Sequence, residues 1–330
     1  MNRLIDNYKR HINYLRISIT DRCNLRCKYC MPLEGVSQFK HDDILSYEEI
    51  LRIAGIAVKE GINKIRITGG EPLVRKGAVD FVRSLSQLYG INDLSMTTNG
   101  LLLSEFAQPL YDAGLKRVNI SMDSLKSYRF NTITRGGDLS KVWQGIQTAA
   151  KVGFNPIKLN IVAIKGLNED ELLDFARLTI ENAYQVRFIE FMPVGPENGW
   201  NHDQFLSCAN IRDVIEAAYR LIPVESEGGN GGPAKLYRLD GAQGMIGFIN
   251  AISGHFCSNC NRLRLTTDGK LRPCLFSDEE IDLKKALRQG KSDEELTSLL
   301  HSTIVNKPLG HAITEPSFKK CTRDMSMIGG

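Results

Sequence analysis

No stretch of the 330-residue sequence approaches the roughly 18 apolar residues of a membrane-spanning helix, and its first residues, MNRLIDNYKRHINYLRIS, hold no apolar run of signal-peptide length. A soluble, cytoplasmic protein with no membrane partner is the expectation. A large charge imbalance is missing too. The 42 Lys and Arg are nearly balanced by 38 Asp and Glu, and the formal charge of +4 is too small and dispersed for a protein that binds nucleic-acid duplexes. It suits a small anionic substrate. There is no low-complexity tail, and a chain of this length buries a full core without disulfide staples. Six of the eight cysteines instead fall in two tight clusters, which in a reducing compartment points to metal or redox chemistry. Cys208 and Cys321 stand alone and are expected to be bystanders.

What the chain does have is an alternation of short β-rich runs with amphipathic helical segments. Strands are predicted at 14–20, 64–69, 93–98, 117–122, 157–164 and 185–192. In SYEEILRIAGIAVKE, Ser46 and Glu49 are spaced as a capping box. Gly61, Gly90, Gly114 and Gly153 each follow a helical segment and precede a strand, where a left-handed C′ residue is wanted. Six such βα units predict an α/β fold, an incomplete (βα)6 TIM-type barrel open on one side. Chemistry in parallel α/β folds sits at the C-terminal ends of the strands. Here those ends carry polar residues 20–30, 68–71, 97–100 and 121–124, and Met192.

Composition changes near Pro196, where PENGWNHDQ and ESEGGNGGPAK flank a helical ANIRDVIEAAYRLI. Residues 1–195 are read as the partial barrel, and 196–330 as a smaller α+β domain that closes it. The second part holds short strands around KLYRLDG and GMIGFINAIS, and late helices starting near Ser277 and Ser292.

The stretch ITDRCNLRCKYCMP spaces Cys23-x3-Cys27-x2-Cys30 on the loop after the first strand. A structural zinc site wants four protein ligands, and no histidine or further cysteine follows until His41. A cubane iron–sulfur cluster held by three thiolates keeps one iron open for an outside ligand. The spacing, with Tyr29 before the last cysteine, resembles the signature of radical S-adenosylmethionine enzymes. In that family the amino and carboxylate groups of S-adenosylmethionine chelate the open iron, and reductive cleavage gives a 5′-deoxyadenosyl radical. TGGEPLVR, residues 68–75, follows the second strand. Gly69 and Gly70 permit close backbone approach there and Glu71 offers an acceptor, similar to the family's loop for the methionine amino group.

A second triad, Cys257-x2-Cys260-x13-Cys274, lies in HFCSNCNRLRLTTDGKLRPC. It is either a zinc ribbon completed by His255 or a distant residue, or a second open cluster. Alternation in RLRL places Arg262 and Arg264 on one face, where two guanidiniums suit a polyphosphate or face solvent. Asn261 and Leu263 are scaffold.

With both triads, these arginines and the terminal Gly329-Gly330, the chain from Arg16 to Gly330 resembles the GTP 3′,8-cyclases of molybdenum cofactor (molybdopterin) biosynthesis. The resemblance implies two [4Fe-4S] clusters on Cys23, Cys27 and Cys30 and on Cys257, Cys260 and Cys274. It implies S-adenosyl-L-methionine at Tyr29, Gly70, Ser121 and Met192. GTP would then be held by Arg16, Arg66, Thr97, Lys158, Arg262 and Arg264, with 3′ hydrogen abstraction followed by C8 attack. No side chain identifies itself as a general acid. The resemblance also implies a low-potential electron donor, a homodimer, and product transfer to cyclic pyranopterin monophosphate synthase. The alternatives are a peptide-modifying radical enzyme with an auxiliary cluster and a zinc or iron–sulfur binding module.

Overall fold

The structure, a computed structural model, describes residues 4–196, 198–225, 232–254, 256–311, 313 and 318–329. Gly330, His255 and the middle of the glycine-rich stretch after Glu225 lie outside the described residues. No helix among the described residues is long and apolar enough to cross a membrane.

Six strands alternate with helices as the sequence predicts: β1 (Tyr14–Ser18), β2 (Lys64–Thr68), β3 (Asp93–Thr98), β4 (Arg117–Ser121), β5 (Ile157–Ala163) and β6 (Gln185–Glu190). The helix Tyr47–Lys59 opens on the expected capping box, Ser46 Oγ accepting from the Glu49 amide and Glu49 accepting from the Ser46 amide. Gly61, Gly90, Gly114 and Gly153 all have φ between +102° and +117°, the region where a Cβ is costly.

The remaining strands are β7 (Leu221–Val224), β8 (Lys235–Leu239), β9 (Met245–Ile249), β10 (Arg262–Leu265), β11 (Lys270–Arg272) and β12 (Ile281–Asp282). Two helical expectations shift here. The helix after Ser207 ends at Glu216, and Leu221 already belongs to β7. The segment after Ser277 runs through β12 before a helix forms at Leu283–Arg288. The helix expected near Ser292 is Asp293–Val305 and has its own capping box.

One twelve-stranded sheet results, in the order β12-β11-β10-β1-β2-β3-β4-β5-β6-β9-β8-β7. The two end strands differ, so the barrel is open. The expected six parallel strands are extended to eight, because β10 adds parallel to β1 and β9 parallel to β6. The later part of the chain thus lengthens the barrel wall at both edges, and hairpins β10–β11 and β8–β9 turn the sheet antiparallel beyond them.

Register decides what faces inward. One row across the sheet reads Arg264–Arg16–Arg66–Ser95, and another reads Thr97–Asn119–Lys158. Residues in one row share a face. The intervening row Ile17–Ile67–Met96–Val118 is fully buried against the helices, at about 1.5–3 kcal/mol of burial for each large side chain. Beyond β6, the buried Glu190 carboxylate accepts bonds from the amides of Cys208 (2.9 Å), Ile252 (2.7 Å) and Ser253 (2.9 Å) and from the Ser253 hydroxyl. That latch fastens the 250–253 loop to the barrel wall.

Candidate active site

The first cysteine loop leaves β1 and is stitched to the glycine-rich loop after β2. The Gly70 amide donates to Thr20 O (2.7 Å) and the Glu71 amide to Arg22 O (2.8 Å), while Arg75 donates to Ile19 O. A Cβ on Gly70 would lie 2.4 Å from Arg22 O, and one on Gly69 2.5 Å from Thr20 O. The two glycines therefore let one loop lie flat on the other. Glu71 is an acceptor, as expected, but its donors are protein groups: Leu73 N, Thr98 Oγ1 and Asn99 N. Burial pushes its carboxyl up to about 7. Asn99 in turn donates to Asn24 Oδ1 at 2.7 Å and reaches Cys23 Sγ at 3.9 Å.

From the other side, Thr134 O and Ile133 O accept the amides of Arg26 and Lys28, and Arg135 donates to Arg26 O and Met31 O. Tyr29 points across the loop to donate to Asp123 Oδ2 at 2.5 Å. Burial raises Asp123 to about 6 and lifts the Tyr29 hydroxyl well above its usual value. Burial is also the main reason the thiols titrate high: Cys23 goes up to about 11, Cys30 to about 12, and Cys27 well above the usual thiol value. The acidic groups Glu71, Asp324 and Asp123 add to the effect. Metal loading here must displace protons.

The second triad is built by the β10–β11 hairpin. Cys257 and Cys260 precede β10, and the antiparallel register Arg264–Arg272 returns the chain to Cys274 beside the start of β10. That return accounts for the thirteen-residue spacing. Burial would raise Cys260, but Arg262 and Lys307 outweigh it and bring the thiol down to about 6. Cys257 is raised by burial and accepts a bond from the His311 amide. All six cysteines are free thiols. Among the described residues no three His, Cys, Asp or Glu side chains converge on a single-ion site; a cubane places each thiolate on a different iron. Two triads of half-buried thiols, each braced by backbone donors, fit that donor set.

One cavity is lined from the first cysteine loop by Tyr29, though by none of Cys23, Cys27 and Cys30, and from the second triad by Cys257, Cys260 and Cys274. Arg16, Arg66, Thr97, Ser121, Met192, Arg262 and Arg264 also line it. Arg262 and Arg264 do share the inward face, in register with Tyr14 and Arg16 as part of the wall. Leu263 is buried on the opposite face, and Asn261 donates to Asn13. Gly70, which abuts Arg22 O, and Lys158 are not among the described lining residues. Burial, followed by repulsion from Arg187 and Arg117, brings the Lys158 ammonium down to about 6.

Sequence reasoning missed several lining residues, among them Tyr14, Asp123, Asn160 and Arg187. Arg187 has the inward phase of QVRFIEFM, and that period-two phase is the signal that could have found it. It is held by Asn160 Oδ1 (2.6 Å) and Asn119 Oδ1 (2.6 Å), amides that orient it without neutralising it. Gly247, its register partner, makes room: a Cβ there would lie 3.0 Å from Arg187 Cγ. Burial lowers Arg187 to about 9 and Arg264 to about 10. Among the described residues the buried Tyr14 hydroxyl and Thr97 Oγ1 have no hydrogen-bond partner. A cluster of cations together with buried hydroxyls fits a polyanion.

The carboxyl terminus enters the same region. Arg323 is clamped by Asp268 (2.9 Å) and Glu280 (2.8 Å), Met325 lines the cavity, and Gly329 O accepts from Arg264 at 2.6 Å. Gly329 has φ +85°, and a Cβ there would lie 2.6 Å from Thr68 Cγ2. Cys321 packs with Val194 and Ile328, and Cys208 lies in the main core.

Comparison with known proteins places these features in context. A family model described as the radical SAM superfamily matches residues 17–179, and one described as Molybdenum Cofactor Synthesis C matches 184–313. A GTP 3′,8-cyclase of Alkaliphilus metalliredigens is 51% identical over 325 residues, covering 98% of this chain and 99% of the relative. The GTP 3′,8-cyclase of Thermodesulfovibrio yellowstonii is 53% identical over 327 residues, covering 98% and 99%. Among solved structures, Streptococcus suis SuiB superposes with a TM-score of 0.52 at 18% identity, over 62% of this chain and 45% of that one. Methylornithine synthase gives 0.50 at 16% identity, over 62% of each chain. These two share the barrel.

Replacing Gly70 with alanine drives a methyl group into Arg22 O and lifts the first cysteine loop. Anaerobically reconstituted Gly70→Ala protein is expected to hold about half the iron and sulfide of the parent, with the second triad still loaded. Full iron content would show that the loop accommodates the methyl group.

Proposed function

The chain belongs to the GTP 3′,8-cyclase family of the radical S-adenosylmethionine superfamily, and we infer from its cavity how its residues divide the work. The reaction converts GTP to (8S)-3′,8-cyclo-7,8-dihydroguanosine 5′-triphosphate, the first step of molybdopterin biosynthesis. Two [4Fe-4S] clusters and S-adenosyl-L-methionine serve it. When bound, they supply the electron and the 5′-deoxyadenosyl radical that takes the 3′ hydrogen of GTP. The observation that carries our reading is a single cavity bordered by both cysteine loops, with a wall of cations between them.

On this reading Cys23, Cys27 and Cys30 hold the first cluster, with Tyr29, Gly70, Ser121 and Met192 around S-adenosylmethionine. Cys257, Cys260 and Cys274 hold the second. Arg16, Arg66, Thr97, Lys158, Arg262 and Arg264 take the nucleotide, the guanidiniums offering paired charge-assisted bonds to phosphate oxygens. Phe256 and Phe276 on the lining exclude water, which strengthens each of those bonds. Holding C3′ and C8 of one nucleotide against a fixed wall turns the ring closure into a positioned intramolecular step. Residues 1–195 act on S-adenosylmethionine, and 196–330 bring the second cluster and complete the nucleotide wall. The tail that carries Gly329 and Gly330 helps to order the radical step, a role supported by the bond from Arg264 to Gly329 O.

The same reading carries a low-potential electron donor, since the cleaving electron must come from outside the chain. It also carries a homodimer, a cytoplasmic location, and transfer of the product to cyclic pyranopterin monophosphate synthase.

Lys158 gives a pH test. Its ammonium is disfavoured in the free protein, titrating near 6, and a bound triphosphate favours the charged form. Its pKa therefore rises on binding, so GTP is expected to bind with proton uptake and to bind more tightly as pH falls from 8 towards 6. Calorimetry of the anaerobic holoprotein in buffers of different ionisation enthalpy reads the uptake directly. Lys158→Met should abolish that part of it, and identical uptake in both proteins would remove Lys158 from the site.

Deleting Gly329 and Gly330 is expected to abolish cyclisation while leaving iron and sulfide content unchanged; retained cyclisation would show the tail dispensable. The substrate assignment is tested by anaerobic turnover of reduced protein with S-adenosylmethionine and GTP deuterated at C3′, followed by mass spectrometry. Deuterium in 5′-deoxyadenosine together with a cyclised nucleotide is the expected outcome. Unlabelled 5′-deoxyadenosine with unchanged GTP would overturn the substrate.

A further inference from the structure

Lys307 belongs to neither cysteine motif nor to any arginine pair, yet it reaches the second triad from below. It follows the helix Asp293–Val305 and turns inward, with 3% of its surface exposed. Its Nζ donates to Arg262 O at 2.8 Å and to Pro273 O at 2.5 Å. Arg262 lies two residues after Cys260, and Pro273 immediately precedes Cys274. One ammonium thus ties the two chain segments that carry these thiols. A second buried cation braces the third: Arg10 donates to Cys257 O at 2.7 Å, and to Leu309 O and Pro308 O just beyond Lys307.

The two cations differ in charge balance. Arg10 is neutralised by Asp6 at 2.6 Å, whereas Lys307 has no carboxylate partner among the described residues. Burial lowers the pKa of the Lys307 ammonium, and Arg10 and Arg262 add to that; Cys260 and Cys274 are the groups that favour its charge. The first triad has mixed surroundings, with Glu71, Asp123 and Asp324 but also Arg26 as charged neighbours. A positive charge held in a poorly screened interior stabilises the more negative, reduced form of an iron–sulfur group, and a negative one destabilises it.

We propose that Lys307 is a positioning residue for the second triad: it holds the Cys260 and Cys274 segments together and sets a positive charge beside the iron–sulfur group, raising its reduction potential. The proposal rests on the reading that this triad holds a [4Fe-4S] cluster.

The test uses the full chain with Cys23, Cys27 and Cys30 replaced by alanine, so that bound iron belongs to the second triad. After anaerobic reconstitution with iron and sulfide, the cluster is titrated with dithionite and mediator dyes and followed by electron paramagnetic resonance. Lys307→Met is expected to shift the midpoint to more negative potential, and Lys307→Arg to restore it. An unchanged midpoint in fully loaded Lys307→Met overturns the proposal. If the parent of the series binds no iron–sulfur cluster, the cluster reading itself falls. Should Lys307→Met lose the cluster, the same substitution is made in the chain with all its cysteines. Retention there of the first cluster and the native circular dichroism, with Lys307→Arg loading normally, supports the positioning role. Loss of the first cluster and the fold together makes Lys307 a fold element and overturns it.

Discussion

The interior of this barrel concentrates positive charge where most proteins place hydrocarbon. Arg16, Arg187 and Arg264 are nearly inaccessible to solvent, and Arg66, Lys158 and Arg262 stand close to them. Asp123, at the far end by Tyr29, is the carboxylate among the described lining residues. Gathering like charges away from water is costly unless an anion or a dense set of acceptors offsets it. The protein supplies neutral acceptors: Asn119 and Asn160 orient Arg187, and Ser95 Oγ accepts from Arg66 at 3.3 Å. These fix direction and leave the charge available, so the free site is held in tension and a polyanion relieves it.

That tension has to be carried by the rest of the fold, and the apolar face of the same strands carries it. The strands β1 to β4 alternate inward polar side chains with outward Ile, Leu, Val or Met in the main core, so binding wall and core are opposite faces of one sheet. The later part of the chain is integrated into that wall by sheet pairing at both edges. Buried polar latches then fix it: Glu190 on the 250–253 loop, Arg10 and Lys307 on the second triad, and Arg323 between Asp268 and Glu280. Breaking a latch of this kind strands buried donors or acceptors at about 1–3 kcal/mol each, which makes the geometry of the second triad as well determined as that of the barrel.

The two thiol triads share a ligand count but not an environment. The first lies in a loop with Glu71, Asp123, Asp324 and Arg26 about it, the second beside Arg262 and Lys307 on a hairpin. Since bound iron–sulfur groups respond to local charge and to hydrogen bonds at sulfur, identical ligands here make for different electron affinities. The carboxyl-terminal tail touches both halves of the arrangement, with the Ser326 amide directed at Cys30 and Gly329 O at Arg264.

Much of this was legible in the sequence because it is local. The six βα units followed from period-two and period-3.6 patterning, their ends from glycines that need positive φ, and the candidate ligands from cysteine spacing. RLRL gave the shared face of Arg262 and Arg264, since alternation is a property of any extended strand. Three features were decided by tertiary structure alone. Strand pairing between residues far apart in the chain made β10 a neighbour of β1 and set Arg264 beside Arg16, where the sequence allowed only a separate closing domain. Gly247 opposite Arg187 is meaningful only once the register is known. The charges facing each triad come from Asp123, Asp324 and Lys307, which no motif links to the cysteines. Short-range geometry is written into neighbouring residues, but electrostatics and packing act through space, and only the folded chain brings those partners within reach.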